Sequence, residues 1–400
     1  MRDLLVVGGG PAGASTAAWA ARAGLDVLLV ERHTFPREKA CSEYLSPEAT
    51  RDLDALGVLG ELEAGGAARL TGMRIVADDG SAVLGRFPTA PGLGPCRPYG
   101  IALPRSRLDS IVLGAAASAG AEIRQGIAVE RLVVEDGAVC GAVLRQGDRR
   151  WEERSRALVG ADGLHSLVAA RLGLSRRGGP RRLAVVAHLA DVDGMGDYGE
   201  MFVGRGRYVG LAPIGRGLVN AAAVVPASEA RTLARDPAAF LRAQLAAIPE
   251  LRRRLARARE VREAMVAGPF ARSTRSPIAE GALLVGDAAD FFDPFTGEGI
   301  FAALRGGRLA AETLAAALAA GRATRAALRP YRRARRRAFL GKWAFERVAA
   351  LSATRPAVMR RFTHRLARRP AVADLWVGVA GDYVPPRALL APGTLAALIL

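Results

Sequence analysis

Apolar positions fall into two rhythms along this chain. Short unbroken apolar runs occur at residues 4–7, 27–30 (in a strand read over Asp26 to Val30), 157–161 and 282–285, and each suits a strand buried on both faces. Longer Ala-rich stretches at residues 12–22 and 300–320 suit helices. Gly24 ends the first of these helices. Ser46-Pro47-Glu48 opens a further helix toward Leu56-Gly57, with Ser46 as N-cap and Pro47 in the first turn. Pro104-Arg105 opens another over residues 108–119, followed by a strand at 122–126. Residues 72–87 alternate as strands do, 128–134 and 139–145 read as a hairpin around Asp136-Gly137, and 181–225 is mostly strand-like. Asp236-Pro237 starts a helix that ends near Ile248-Pro249, and from Leu328 onward the pattern is helical.

The nucleotide-type pieces recur with strand-rich segments between them. The expected fold is α/β: a Rossmann-like domain from discontinuous segments, an inserted mostly antiparallel β domain and a helical C-terminal region. The expected divisions are 1–70, 99–180 and 268–320 for the first, 71–98 and 181–267 for the second, and 321–400 for the third. With 400 residues, half of them apolar, the chain can bury a sizeable core. No run of 18 apolar residues is free of charge, and residue 4 already begins a strand pattern, so a cytoplasmic protein is expected. Three scattered cysteines and four scattered histidines give neither a disulfide framework nor metal-ligand spacing, so no metal is expected.

Charge adds a second feature. The net charge is +18, and residues 321–400 carry 17 Lys and Arg against Glu346, Asp374 and Asp382. Such a basic region suits an anionic membrane surface, here the inner face; no recognition motif points to nucleic acid. Phe339, Trp343, Phe345, Phe362, Leu366, Trp376 and the apolar residues 395–400 lie among the arginines. The region is either a lid that admits a greasy substrate or a packed cap with a solvated face. Oligomeric state is left open.

The chemistry begins at Gly8-Gly9-Gly10-Pro11-Ala12-Gly13, between the first strand and the first helix. Gly8 permits a tight turn, Gly10 close approach of a pyrophosphate, and Gly13 close helix–strand packing. Glu31, with Arg32 beside it, ends the second strand where an acid can take ribose hydroxyls. Two more signals follow in order: Gly160-Ala161-Asp162-Gly163, and Gly286-Asp287 followed by Asp293-Pro294-Phe295-Thr296-Gly297-Glu298-Gly299-Ile300. Asp287, at a strand end, can accept from a sugar-alcohol chain. The amides opening the helix at Ile300 can stabilise negative charge on a bound group.

This ordered set, over roughly residues 1–320, resembles the flavoprotein superfamily of single-component aromatic hydroxylases, flavin-dependent halogenases and geranylgeranyl reductases. The resemblance implies FAD. Arg105 then reaches the pyrophosphate, Asp162 touches the flavin, Asp287 binds the ribitol, and Pro294, Gly297, Glu298, Gly299 and Ile300 lie against the ring. Cys41-Ser42-Glu43-Tyr44-Leu45-Ser46-Pro47 is similar to the Cys-Gly-Gly-x-Leu-Ser-Pro segment of the geranylgeranyl reductases, with Ser42 and Glu43 in place of two glycines. Their Tyr-x-Trp-x-Phe-Pro segment reads Tyr208-Val-Gly-Leu-Ala-Pro213 here. Of the only lysines, Lys39 and Lys342, neither sits in a halogenase-like context.

The expected activity is therefore that of an FAD-dependent oxidoreductase. Ranked first is an NAD(P)H-dependent monooxygenase acting on a lipophilic phenol or polyketide through a flavin hydroperoxide. Ranked second is an ene-reductase of a polyprenyl or lipid alkene; a halogenase and a non-catalytic flavoprotein come last. With a single glycine-turn unit, NAD(P)H docks transiently. On the substrate side, Glu43 is a candidate base, Tyr208 a candidate proton donor and Cys41 a third candidate; Tyr44, Leu211 and Pro213 are candidate substrate contacts.

Overall fold

The computed structural model describes residues 1–89, 94–179 and 181–399, without the side chains at 177, 395 and 397–399. Residues 90–93 and most side chains of the apolar end at 395–400 therefore fall outside the described part.

The four buried apolar runs meet in one sheet. Its strand order is Ile278–Ala279, Ala282–Leu284, Arg149–Gly160, Arg2–Val7, Val27–Glu31, Glu122–Gln125. All neighbours from Ala282–Leu284 to Glu122–Gln125 run parallel, with Leu4 facing both Val27 and Ala157. Leu4, Leu5, Leu28, Leu29 and Leu158 are fully buried, each worth about 2 kcal/mol against an exposed position. Helix Pro11–Arg22 lies against helix Gly299–Ala319, and glycine is needed at the crossing. A Cβ on Gly307 would sit 2.9 Å from both the carbonyl of Ala12 and the side chain of Ser15.

The second sheet has seven strands in the order Arg259–Ala267, Arg182–Ala190, Leu218–Pro226, Tyr208–Gly215, Gly199–Val203, Gly72–Val76, Ala82–Arg86. Only Gly72–Val76 and Gly199–Val203 pair in parallel. One face, with Val209, Leu211 and Val219, is covered by helices over residues 230–254. The other, with Tyr208, Met201 and Val224, faces the cofactor-type turn and the C-terminal helices.

Sequence reading located most of these elements within a few residues. It missed strand Arg259–Ala267, an edge strand whose charged residues obscure the alternation. It also missed the first half of Arg149–Gly160, where the apolar run covers only the buried end.

Of the two expectations for residues 321–400, the packed cap is the one observed. Tyr331 is fully buried and donates to the carbonyl of Leu284 at 2.8 Å, and Phe339 meets Phe301 edge-on at 6.0 Å. Helix Arg329–Ser352 thus docks on the nucleotide half, while its Ala349 and Ala350 join the core of the β half. Helix Pro370–Ala380 crosses strand Ala82–Arg86 at Gly85, where a Cβ would lie 2.5 Å from Val377.

Candidate active site

The glycine turn is closed by its own backbone. Gly8 has φ +106°, and a Cβ on Gly13 would lie 1.8 Å from the Gly8 carbonyl. Any side chain at Gly13 is therefore excluded by contact with the strand, not by a ligand. Gly10 differs: its Cβ would meet only the guanidinium of Arg37 at 3.5 Å and that of Arg105 at 4.0 Å. Arg105 is buried and forks onto Asp109 with two hydrogen bonds of 2.7 Å, and Arg37 lies 3.4 Å from the same carboxylate. Two guanidiniums share one carboxylate, so a positive charge is left over beside Gly10 and the helix N-terminus. Nε of Arg37 is buried with no partner among the described residues, and its guanidinium stacks on Phe35. This arrangement suits a pyrophosphate. Arg37 was missed as a cofactor residue because one arginine in a polar loop carries no pattern.

Glu31 is buried and accepts from the amides of Gly9 at 2.8 Å and His33 at 2.9 Å. It ties the turn to the second strand, and its remaining lone pairs can take ribose hydroxyls. Pro11 and Ala12 are buried in the first turn of the helix, whereas Arg32 is exposed beside His33.

Asp162 sits beside this turn but its carboxylate is engaged. It accepts from Ser166 Oγ at 2.5 Å and from the amides of Leu167 and Val168, and so holds the start of helix Leu167–Arg171. Burial nevertheless pushes its pKa up. Its position next to Gly8 fits the expectation, but its side chain is a helix anchor first. Asp287, in a turn over Gly286–Ala288, has one side-chain partner among the described residues, Lys39 at 3.8 Å. Its oxygens remain open to a sugar-alcohol chain. Lys39 also comes within 3.9 Å of where a Gly163 Cβ would stand, so it spans the groove between the two Asp-bearing turns.

The Pro294–Gly299 turn is held from four sides. Asp293 is buried; it accepts from Arg182 at 2.7 Å, Tyr208 Oη at 2.7 Å and the amide of Phe295 at 3.0 Å. Its own amide donates to Glu346 at 3.2 Å. Gly297 takes φ +72°, and a Cβ there would lie 2.9 Å from the ring of Tyr44. Glu298 is buried and ion-paired with Lys342, which also reaches Asp382 at 2.7 Å. Burial pushes Glu298 well above the ordinary carboxylate range; nearby Asp382 adds to this and Lys342 opposes it. Burial likewise pushes Glu346 up to about 7, against the attraction of Lys342. Ile300 is buried at the start of the long helix.

Several expected substrate residues need correction. Tyr208 is 3 % exposed, with its hydroxyl committed to Asp293 and its ring edge-on to Phe295 at 5.1 Å. It braces the turn instead of meeting substrate. Burial, then Asp293, hold its pKa well above the usual phenol value. Leu211 is 1 % exposed on the opposite sheet face, under the helices, because strand alternation turns odd positions from 209 away from the turn. Pro213, on the same strand, shares that parity; its intermediate burial gives it no place against the turn. Tyr44 does lie against the turn, at Gly297, but is buried and packs with Phe87, Ile214 and Val377.

Glu43 is the largest departure. It stands at one of the resembling glycine positions and keeps a glycine-like φ of +60°. The carboxylate is fully buried and accepts from Arg105 N at 3.0 Å, His188 Nε2 at 2.6 Å, Asn220 Nδ2 at 2.8 Å and Arg262 Nη1 at 3.4 Å. With four donors on two oxygens it has no lone pair for a phenol proton, so the candidate base becomes a clamp between the two halves. Cys41 is half-buried; its Sγ accepts from Glu43 N at 3.3 Å and its carbonyl from Asn220. It belongs to the clamp and neighbours Arg105 on the pyrophosphate side.

A cavity of about 580 Å³ opens beside this turn. Asp287, Glu298 and Gly299 line one side; Phe291, Phe292, Trp343 and Glu346 are among the residues that complete it.

The FAD binding domain family model matches residues 1–342, and the chain belongs to this family. It is therefore an FAD-dependent oxidoreductase. It is 30% identical over 329 residues to the digeranylgeranylglycerophospholipid reductase of Methanosarcina mazei, covering 80% of this chain and 76% of that one. It is 34% identical over 328 residues to the menaquinone reductase of Mycobacterium tuberculosis, covering 78% and 76%. A solved flavoprotein/dehydrogenase from Cytophaga hutchinsonii superposes with a TM-score of 0.85 at 18% identity, over 98% of this chain and 96% of that one. The flavin-dependent brominase Bmp2 does so at 0.81 and 20%, over 99% and 98%. These two likenesses concern the fold alone.

Proposed function

We propose that this enzyme is a reductase that saturates carbon–carbon double bonds in a polyprenyl or other lipid chain. This was the second-ranked expectation; two findings raise it above hydroxylation. The relatives that match over most of the chain are named as reductases of lipids or lipid quinones. The base that hydroxylation of a phenol would call on, Glu43, is saturated with donors.

The observation that carries the reading is the cavity. It joins the turn expected to face the flavin to an aromatic wall built partly by helix Arg329–Ser352. Bound FAD supplies the two-electron chemistry, held by Gly10, Arg37, Arg105 and Glu31 at the adenosine diphosphate end and Asp287 at the ribitol. The protein shapes a slot in which Phe291, Phe292 and Trp343 stand beside charged groups such as Arg272, Arg335 and Lys342, and it keeps the turn rigid through Tyr208, Asp293 and Arg182. NAD(P)H is the proposed electron donor, docking transiently.

A lipid substrate has to be collected. Leu340, Val348, Leu351 and Val358 are exposed on the basic C-terminal helices, which supports peripheral contact with an anionic membrane. Among the described residues no helix is long and apolar enough to cross a bilayer.

The test is anaerobic. Reduce the purified holoprotein, then mix it with a geranylgeranylated glycerophospholipid in detergent without O2. Reoxidation of the flavin at a rate that rises with lipid supports the reading; a flavin that stays reduced until O2 is admitted overturns it.

A further inference from the structure

Beside the Pro294–Gly299 turn the protein buries more acid than base. Glu298, Asp382 and Glu346 surround one cation, Lys342, whose side chain is 10% exposed. Asp293 and Asp290 add carboxylates from the segment before the turn, each matched by its own arginine, Arg182 and Arg335. Lys342 is committed to Glu298 and Asp382, while Glu346 stands one helical turn further along the same face. Among the described residues the Glu346 carboxyl accepts one hydrogen bond, from Asp293 N at 3.2 Å. A cluster with three acids on one base, with little room for solvation, keeps a proton. Burial accordingly holds Glu346 up to about 7.

Glu346 is also placed to use that proton. It lines the 580 Å³ cavity together with Trp343, Phe291 and Phe292, and its partner Asp293 immediately precedes the turn expected against the flavin. Glu298 and Lys342 line the same cavity.

We propose that Glu346 is the proton donor to the lipid alkene, with Asp293, whose amide donates to its carboxyl, as the positioning residue. This rests on the reductase reading. Two hydrogens add across the double bond. One arrives with an electron pair from the reduced cofactor, which is thereby oxidised. The other leaves the Glu346 carboxyl as a proton and bonds to the second carbon. The carboxylate that remains regains a proton from solvent at the cavity mouth, so atoms and charge balance over a turnover.

Glu346 acts in its protonated form, so saturation falls as pH rises through about 7. In E346Q the anaerobic oxidation of reduced flavin by the lipid slows by at least about tenfold and loses that high-pH limb, while reduction of the flavin by dithionite is unchanged. The independent readout is infrared difference spectroscopy of the holoprotein without lipid. A protonated-carboxyl band titrates near 7 in the wild type and is absent in E346Q. Should E346Q not fold, E346D serves: it retains the limb and the band at a reduced rate.

If the wild type saturates no alkene without O2, the reductase reading fails and takes this inference with it. If the wild type does so but E346Q keeps its rate and limb, or the band persists in E346Q, this inference alone is overturned.

Discussion

The hydroxyl of Tyr208 donates to Asp293 Oδ1 at 2.7 Å, joining a strand of the β half to the turn that opens the helix Gly299–Ala319. Asp293 is raised in pKa by burial despite Arg182, so this bond matters to a carboxylate held away from water. Tyr208→Phe removes one of its donors. The expected cost is about 1–2 kcal/mol in denaturant unfolding, with weaker FAD retention on dilution. A variant as stable and as FAD-replete as wild type would show that the turn does not depend on this brace.

Arg37 has an Nε without a partner among the described residues and faces Gly10 across open space. Arg37→Ala is expected to weaken FAD binding about tenfold or more, with little change in the melting temperature of the cofactor-free protein. Gly13→Ala behaves oppositely: its methyl collides with the Gly8 carbonyl, so folding itself suffers. Parallel cofactor titrations and thermal melts of the two variants separate the roles.

Glu43 holds a strained φ and four donors. Glu43→Gly relieves the backbone but leaves the buried His188 and Asn220 side chains without their acceptor. The net expectation is a loss of about 2–4 kcal/mol, with the pH limb of turnover unchanged. A catalytic base would give the reverse: a small stability change and an altered pH profile.

Glu346 links stability to pH. Its folded pKa of about 7 lies above the ordinary glutamate value of 4.5 that the unfolded chain takes. The unfolded chain therefore releases this proton first as pH rises. The contribution is fully present below about 4.5, is lost as pH climbs through about 7, and stays flat above that. E346Q lacks this loss. The variant should gain on the wild type across that window by on the order of 3 kcal/mol, read from urea unfolding at several pH values.

The basic cap makes a further prediction. Full-length protein should float with anionic liposomes at low salt and detach as salt is raised, because the arginines around Leu340, Val348 and Val358 act within a Debye length of the surface. Failure to bind at low salt would remove the membrane from the account.

The glycine turn was legible because each of its features is local: apolar run, glycine spacing, Ala-rich helix, terminal acid. Gly13 is explained by its contact with the Gly8 carbonyl, five residues earlier, whereas Gly8 is hemmed in by Ala161, just past the end of the neighbouring strand. Glu43 was not legible in the same way. Its donors come from Arg105, His188, Asn220 and Arg262, and nothing local distinguishes a clamped carboxylate from a free base. Lys342 and Glu346 lie more than 40 residues beyond the turn they serve, in a helix whose arginine content masks them. Leu211 was misplaced because the motif was read as a string, whereas a strand sends alternate residues to opposite faces.

The most direct test of the central claim is the mass of the product. Holoprotein reduced under strict anaerobiosis and given a geranylgeranylated glycerophospholipid should return lipid heavier by two hydrogens per double bond attacked. Lipid returned unchanged without O2, and carrying one added oxygen atom once O2 is supplied, would contradict it.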